Sequence, residues 1–251
     1  MSRLENKTAV VTGASSGIGA GIALAYAREG ASVAINFNTS ADKAHQVVEQ
    51  IRSAGGQAMT TRADISKEDE VQKLIDTVMA EWGHIDIWVN NAGADILTGE
   101  GADLDDRQKF QALIDVDLKG TIDCCRAIQP IMTSQGEGVI INMSWDLAMH
   151  GFRGRNPEMF AAAKAGIIGF SRAFAKSIAP AIRVNVLAPG WIYTAFAEEV
   201  MEDEYYQARI REIPLGRFGR PEDVAETAVF LASDASSYIT GEIININGGL
   251  I

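Results

Sequence analysis

The sequence has almost no cysteine and no long hydrophobic run, and both shortages limit what the protein is. Its two cysteines, Cys124 and Cys125, are adjacent within an apolar helical pattern and lack metal-ligand spacing. We therefore predict buried, reduced thiols and no metal site. No stretch approaches the length of a membrane span, and the first residues contain no apolar signal core. These features predict a cytoplasmic protein without a membrane partner.

The chain also lacks an excess of positive charge. Its 22 Lys and Arg residues are outnumbered by 33 Asp and Glu residues, which gives a formal charge of −11. An acidic surface repels phosphate backbones. We therefore expect no nucleic-acid partner.

Short β-branched runs alternate with longer helical patterns along the chain. Several runs are apolar almost throughout, as expected for parallel strands covered on both faces. This alternation predicts one α/β domain over residues 1–251, a Rossmann-type doubly wound parallel sheet of seven strands with helices on both faces. The predicted elements are the strands Ala9–Thr12, Ser32–Phe37, Ala58–Thr61, Ile85–Asn90, Gly138–Met143, Arg183–Ala188 and Glu242–Asn247, and the helices Gly17–Arg28, Lys43–Ser53, Glu68–Glu81 and Pro221–Ala232.

A glycine-rich loop joins the first predicted strand to the first predicted helix. Its sequence is TGASSGIG, from Thr12 to Gly19. In such loops one glycine makes the tight turn, one lets the backbone approach a pyrophosphate, and one packs the helix on the strand. The N–H groups at the start of the helix then face the phosphates. The residues predicted to hold a dinucleotide here are Gly13, Ser15, Ser16, Gly17, Ile18 and Gly19.

The spacing T-G-x-x-x-G-x-G resembles the short-chain dehydrogenase/reductase family, in its 3-oxoacyl-ACP-reductase-like or glucose-dehydrogenase-like branch. Further family-like motifs follow in order over essentially the whole chain, up to Gly241 and Gly248–Gly249. The resemblance implies an NAD(P)(H)-dependent oxidoreductase that moves hydride to or from a small carbonyl or alcohol. The further cofactor contacts that it implies are Asp64 and Ile65 at the adenine, Asn91, Ala92 and Gly93 at the adenosine and ribose, Lys164 at the ribose, Pro189 and Gly190 in a turn, and Ile192 and Thr194 at the carboxamide or phosphate.

Two of these motifs have a simpler reading. The stretch from Asn90 to Gly93 could be only a turn that ends a strand, and Pro189–Gly190 could be only a turn as well. Their joint occurrence at strand carboxyl ends, where α/β proteins bind ligands, favours the functional reading.

The end of the second predicted strand bears on the choice of nicotinamide. An acidic residue there would bond both ribose hydroxyls and repel a 2′-phosphate. The stretch from Ile35 to Ser40 has no acid, and Asn38, Thr39 and Ser40 could donate hydrogen bonds to a phosphate. The stretch has no arginine to strengthen this case. Because the acid that would repel the 2′-phosphate is absent, we favour NADP(H) as cofactor, with NAD(H) as the alternative.

The predicted chemical site departs from the family pattern of Asn, Ser, Tyr and Lys. Only Lys164 matches; Phe160 stands at the Tyr position, Asp117 at the Asn position and Trp145 at the Ser position. Phenylalanine has no hydroxyl and cannot move a proton. The segment between Trp145 and Phe160 is about two residues longer than usual, so a shift of register could bring in Ser144 or Asp146 instead.

Three interpretations follow from these replacements. In the first, the protein is an enzyme whose acid has moved to Asp146, His150 or Tyr193. In the second, the substrate needs no strong acid, as with a protonated C=N bond, and Asp117 or Asp146 stabilises the cation. Asp117 has the alternative role of pairing with Lys164 and holding it in place. In the third, the chain is a catalytically silent scaffold or sensor that binds cofactor. The intact cofactor motifs favour an enzyme.

Loops beyond the strand ends should select the substrate. These are 94–110, 147–159 and 191–213. Arg153 and Arg155 in the second loop either hold an anionic substrate group or pair with acidic neighbours. The stretch Phe196–Ile213 could form a mobile lid, in which the pair Tyr205–Tyr206 is expected to pack rather than react.

The resemblance also implies a homo-oligomer, a tetramer as is usual in the family, built on two long helices and the last strand. The stretches Leu104–Ile131 and Pro157–Ser177 could supply the helices. The apolar end, Ile243–Ile251, fits a buried C-terminus. We therefore predict a homotetramer.

Overall fold

The seven strands form one parallel sheet, in the order β3-β2-β1-β4-β5-β6-β7. The structure is a computed structural model and describes residues 2–194, 197 and 201–251. The predicted doubly wound sheet is confirmed, and the predicted strand ends agree to within two residues. The strands are β1 (Thr8–Val11), β2 (Ser32–Phe37), β3 (Gln57–Arg62), β4 (Ile87–Asn90), β5 (Gly138–Met143), β6 (Ile182–Pro189) and β7 (Ile243–Ile246).

Helices connect the strands and cover both faces of the sheet. The first predicted helix has the bounds expected, and Gly30 follows it with φ +91°, as a helix stop. In the described part of the chain no helix is long and apolar enough to cross a membrane. The helices are α1 (Gly17–Arg28), α2 (Ala41–Ser53), α3 (Glu68–Trp82), α4 (Gly99–Ala102), α5 (Asp106–Ala112), α6 (Thr121–Gln135), α7 (Arg155–Ile178), α8 (Asp203–Glu212) and α9 (Pro221–Ala232), with 3₁₀ turns at Asp146–Ala148 and Asp234–Ser236.

The two faces of the sheet carry two hydrophobic cores. Successive residues of a strand point to opposite faces, so Val11 joins the core under α1, α2 and α9, while Val10 joins the core under α3, α6 and α7. Ile141 and Ile140 in β5 divide in the same way. All four side chains are fully buried. Burial on both faces explains why these strands are apolar at nearly every position.

The strand order opens a cleft beside β1. The chain runs from β1 to β2 and β3 at one edge and then returns to place β4 on the other side of β1. The loops after β1 and β4 therefore diverge to opposite sides of the sheet, and ligands of doubly wound folds bind at such a switch point.

The predicted long helix over Leu104–Ile131 is divided. A π-helical segment, Leu113–Gly120, separates α5 from α6. The wider turn of a π-helix is costly and occurs frequently at functional sites. It carries Asp117, whose side chain is buried. The other predicted long helix is continuous, from Arg155 to Ile178.

Candidate functional site

The glycine loop is shaped by close approaches between β1 and β4. Gly13 has φ +61°, and a Cβ atom there would lie 2.7 Å from the Cα of Ala92. A Cβ at Gly19 would lie 2.4 Å from the Asn91 Nδ2 atom. Any side chain at these positions would displace the neighbouring backbone or the asparagine. Packing alone therefore requires glycine at these two positions.

Thr12 and Asn91 hold this loop in place. The Thr12 hydroxyl accepts the N–H groups of Asn91 and Ala92, at 2.9 and 3.0 Å. The Asn91 side chain donates to the carbonyls of Thr12 and Gly13, at 2.9 and 3.1 Å. Asn91 and Ala92 therefore support the loop directly. Thr12 was not among the predicted site residues, although its hydroxyl at the end of an apolar strand was a usable signal.

The start of α1 is open toward the cleft. Ser16 is its N-cap, yet no side chain caps the helix by a hydrogen bond. A Cβ built on Gly17, where φ is +56°, would meet only the methyl group of Thr194, at 3.6 Å. Gly17 and Thr194 thus lie close to each other, beside uncapped helix N–H groups that are suited to bind a phosphate. These residues fit a dinucleotide.

Asp64 and Ile65 lie just beyond the end of β3. The Asp64 carboxylate accepts hydrogen bonds from the Ser66 hydroxyl at 2.7 Å and the Ser66 N–H at 3.0 Å, and Lys67 lies 3.5 Å away. Partial desolvation opposes ionisation, but these hydrogen bonds and Lys67 outweigh it and lower the pKa of Asp64. Ile65 is buried. Asp64 therefore keeps its charge and shapes the turn on the predicted adenine side.

The loop after β2 contains Asn38, Thr39 and Ser40, the three predicted phosphate donors. Asn38 and Thr39 are exposed, and Ser40 is half-buried at the N-cap of α2 without a side-chain cap bond. The structure adds Arg62, which sequence reasoning missed: its Nε donates to the Asn38 carbonyl at 3.1 Å. The signal was available only through strand pairing, because β3 lies beside β2 with Phe37 opposite Arg62.

Lys164 and Asp117 form a buried ion pair. The Lys164 Nζ atom lies 2.9 Å from Asp117 Oδ2, and the side chains are 7% and 1% exposed. Asp117 Oδ1 accepts the Ala94 N–H at 2.7 Å. Lys164 Nζ also lies 3.4 Å from the Met143 carbonyl. Of the two roles considered for Asp117, the structure contains the contact that the pairing role requires, and that contact compensates the lysine's charge.

Two aromatic rings stand next to this pair. Trp145 and Phe160 meet edge to face with ring centroids 5.4 Å apart, and Lys164 Nζ lies 5.3 Å from the centre of the Phe160 ring. The buried Ser144 hydroxyl donates to the Lys164 carbonyl at 2.9 Å and thereby braces α7. The corner that the family resemblance assigns to a serine and a tyrosine is thus an apolar ring pair beside a compensated lysine.

Asp146 and His150, the other predicted catalytic residues, lie on the loop after β5. Asp146 is 3% exposed. Its Oδ1 accepts the Leu147 N–H at 2.8 Å, and its Oδ2 accepts the Asn247 side chain at 3.1 Å. Burial raises the pKa of Asp146, against the effect of these bonds. His150 is exposed, with Nδ1 3.4 Å from the Asp146 carbonyl.

The turn after β6 carries the remaining predicted cofactor contacts. The Gly190 N–H donates to the Ile246 carbonyl at 3.0 Å, and a Cβ there would lie 3.0 Å from Asp146 Oδ2. Pro189 ends β6 opposite Ile246, and Ile192 is buried. The turn is therefore fixed between β7 and the Asp146 loop.

An aromatic cluster covers the substrate side of this turn. Tyr206 packs on Phe218 with centroids 4.6 Å apart, and Tyr205 meets Trp191 at 6.2 Å. This agrees with the packing role expected for the two tyrosines. Tyr193 is 43% exposed beside Tyr206. Part of the predicted lid, residues 196 and 198–200, lies outside the described residues, and α8 forms its latter half.

Arg155 forms an ion pair, and the two cysteines are buried in the core. Arg155 is exposed and pairs with Asp106 at 2.9 Å, one of the two roles considered for it. Cys124 and Cys125 are free and buried, as predicted. Burial raises the pKa of Cys125 to about 12, so its thiol stays protonated and unreactive at neutral pH.

Comparison with known proteins adds three findings. Residues 13–251 match a family model described as Enoyl-(Acyl carrier protein) reductase. The chain is 40% identical over 247 residues to a 3-oxoacyl-[acyl-carrier-protein] reductase of Staphylococcus epidermidis, covering 98% of this chain and 99% of that protein. It is 38% identical over 252 residues to the Thermotoga maritima protein of the same name, covering 99% of each.

Solved structures give the same result. A short-chain type dehydrogenase/reductase from Mycobacterium marinum superposes with a TM-score of 0.89 at 36% identity, over 98% of this chain and 96% of that one. A 7α-hydroxysteroid dehydrogenase complexed with NADH and 7-oxo glycochenodeoxycholic acid superposes with a TM-score of 0.90 at 34% identity, over 98% and 95%.

Proposed function

The chain belongs to the short-chain dehydrogenase/reductase family, and from that premise we propose a specific role. It is an NAD(P)(H)-dependent oxidoreductase that moves hydride between its nicotinamide cofactor and a small carbonyl or alcohol substrate, with C=N substrates included. NADP(H) is the favoured cofactor. The observation that supports the proposal is the glycine loop packed against Asn91 and Ala92, together with the buried Lys164 held by Asp117.

The chain's own residues have distinct parts in this proposal. The uncapped start of α1 binds the pyrophosphate, with Thr194 on the opposite side of the cleft. Lys164 holds the ribose, and Asp117 keeps the lysine in position through their 2.9 Å contact. The nicotinamide, when bound, supplies or accepts the hydride. Fixing the two reactants in this geometry can contribute as much to the rate as proton transfer does.

The proton must come from another place than in relatives with a tyrosine. Phe160 and Trp145 have no hydroxyl to give. Asp146 is the protein group best suited to replace it, because it is buried on the loop after β5 and burial raises the pKa of its carboxyl. Its two oxygens hold Leu147 and Asn247, so a role in proton transfer requires the Asn247 contact to open. A substrate that arrives protonated at nitrogen avoids the need.

Turnover by the purified protein tests this proposal. NADPH or NADH oxidation is measured with a 3-oxoacyl thioester, a simple ketone and a cyclic imine, and the reverse reaction with secondary alcohols. The 3-oxoacyl thioester is included because the relatives' names specify it. Asp146→Asn and His150→Ala serve as a matched pair from one loop. Activity that is lost in Asp146→Asn and kept in His150→Ala supports the Asp146 carboxyl as the proton donor. Imine turnover that is no faster than ketone turnover contradicts the route through a substrate protonated at nitrogen.

A second candidate function is a cofactor-binding sensor without chemistry. The observation that favours it is the replacement of both hydroxyl positions by a packed ring pair beside a compensated lysine. The same experiment separates the two functions: saturable NADPH binding without turnover on any substrate of the panel supports the sensor.

We also propose that the chain is a cytoplasmic homotetramer, on the family resemblance and on the two helices α6 and α7 that such tetramers use. Light scattering coupled to gel filtration tests the oligomeric state: a mass of four chains is expected, and a monomer at micromolar concentration contradicts it.

A further inference from the structure

Arg62 lies where the second and third strands end together. β2 and β3 run parallel, with Asn36 opposite Thr61 and Phe37 opposite Arg62. The last residue of β3 therefore stands beside the loop that follows β2. The Arg62 Nε atom donates to the Asn38 carbonyl at 3.1 Å, which fixes the guanidinium against this loop.

We propose that Arg62 is the residue that selects NADP(H), by binding the 2′-phosphate of the adenosine ribose. This inference rests on the proposed function, because it requires the ribose to lie at the end of β2 as in other doubly wound dinucleotide-binding folds. A guanidinium presents several N–H donors in a planar fork that matches phosphate oxygens. Arg62 is exposed and uses Nε for the main chain, and among the described residues no hydrogen bond engages its two Nη groups.

The charges around Arg62 favour the binding of an anionic ligand group by its guanidinium. The nearby carboxylates have their own cation: Lys67 lies 3.5 Å from Asp64 and 3.1 Å from Glu70. Among the residues that the structure describes, none pairs its carboxylate with Arg62. The loop itself, Asn38 to Ser40, contributes amide and hydroxyl groups and no acid. A phosphate here would meet one uncompensated cation in a protein whose net charge is −11.

Arg52 shows what an arginine with a purely structural role looks like in the same layer. It lies in the last turn of α2 and donates through both Nε and Nη2 to the Ala58 carbonyl, at 3.1 and 2.9 Å. It also lies 4.0 Å from Glu49. Ala58 is near the amino-terminal end of β3, away from the cleft at the carboxyl ends. Arg52→Ala is therefore the matched control for Arg62→Ala.

Calorimetric titration of the full chain with NADPH and NADH tests the proposal without any substrate. Arg62→Ala should weaken NADPH binding about tenfold or more, the effect of losing a hydrogen bond to a charged group. It should change NADH binding by less than about twofold, since that ligand has an uncharged 2′-hydroxyl in place of the phosphate. Arg62→Lys should recover part of the NADPH affinity, because it restores the charge without the fork. Arg52→Ala should change neither ligand's affinity.

Other outcomes overturn the proposal in ways that can be told apart. If Arg62→Ala weakens NADPH and NADH equally, or neither, Arg62 does not read the 2′-phosphate, while the proposed function stands. If the wild-type chain binds neither nucleotide, the proposed function fails and this inference fails with it. Rising salt should reduce the preference of the wild type for NADPH, because it screens an exposed charge pair; a preference that salt does not change contradicts the proposed ion pair.

Discussion

The two sides of the cleft follow different rules. On the cofactor side, the glycine loop and the strand ends match the family pattern. A Cβ atom added at Gly13 or Gly19 would lie less than 3 Å from neighbouring backbone atoms, so packing requires glycine at both positions. On the chemical side, three of the four positions that the family resemblance assigns hold other residues, and one of them, Asp117, lies in a π-helical segment. Binding geometry is thus constrained by the backbone, whereas chemistry depends on side chains that can be exchanged.

The exchanges on the chemical side are coupled to one another. Trp145 and Phe160 contact each other, so the ring pair replaces a hydroxyl pair as a unit. Asp117 brings a negative charge to Lys164, where a neutral asparagine would leave the buried lysine uncompensated. A lysine that has such a partner and no tyrosine beside it is suited to hold a ribose rather than to assist proton transfer.

Gly13→Val should disrupt the cofactor side and have the largest effect on nucleotide binding. A β-branched residue at φ +61° with its Cβ 2.7 Å from the Ala92 Cα must move the loop. We expect NADPH affinity to fall at least about a hundredfold, the equivalent of about 3 kcal/mol. Titration calorimetry measures this. Gly169→Ala, in α7 with open space around it, is the control; unchanged binding in Gly13→Val contradicts the account.

Asp117→Ala should break the chemical side by leaving a buried cation alone. Removing one partner of a buried ion pair costs about 3–5 kcal/mol of unfolding free energy. Asp117→Asn keeps an acceptor for the Ala94 N–H and should cost less. Urea unfolding at neutral pH measures both variants. Equal stability of Asp117→Ala and the wild type would mean that the ion pair contributes nothing.

Restoring the family's side chains around Lys164 should raise the rate of ketone reduction. The triple variant Trp145→Ser, Asp117→Asn, Phe160→Tyr rebuilds the missing hydroxyls beside Lys164, and we expect ketone reduction to rise about a hundredfold, the lower bound for general acid catalysis. Phe160→Tyr alone should gain less, because Asp117 still holds the lysine. Steady-state kcat with a ketone measures both. A single variant as active as the triple would show that the exchanges are independent.

Asp146→Asn should give the smallest effect, and a pH-dependent one. Burial raises the pKa of Asp146 in the folded state above its ordinary 3.8. The folded state therefore holds a proton that the unfolded state releases, and stability falls as pH rises from about 4 through the folded pKa. Relative to Asp146→Asn, the wild type should therefore gain stability on acidification. Urea unfolding at several pH values measures it; a pH-independent difference contradicts the raised pKa.

The parts of the fold predicted from sequence are those with local signals. The helix Gly17–Arg28 begins after a glycine turn and stops before Gly30, and Pro221 at the first position of α9 marks its start. The stretch Leu104–Ile131 was predicted to supply a helix, and the π-helical segment inside it was not foreseen, because apolar spacing does not distinguish a π-turn from an α-turn.

The candidate site was predictable in composition and not in geometry. The loss of the tyrosine at Phe160 is visible in one letter of the sequence. The Asp117–Lys164 contact is not, because it depends on how the π-helical segment faces α7. The contact between Arg62 and the loop after β2 was not predicted for a similar reason. Arg62 is 24 residues from Asn38 along the chain and becomes its neighbour through the register of β2 and β3.

Titration of the wild-type chain with NADPH tests directly whether the cofactor side of the cleft binds a nicotinamide nucleotide. We predict saturable binding of one NADPH per chain, tighter than the binding of NADH and abolished by Gly13→Val. Absence of saturable binding of either nucleotide would contradict it, because the intact cofactor side of the cleft would then have no ligand.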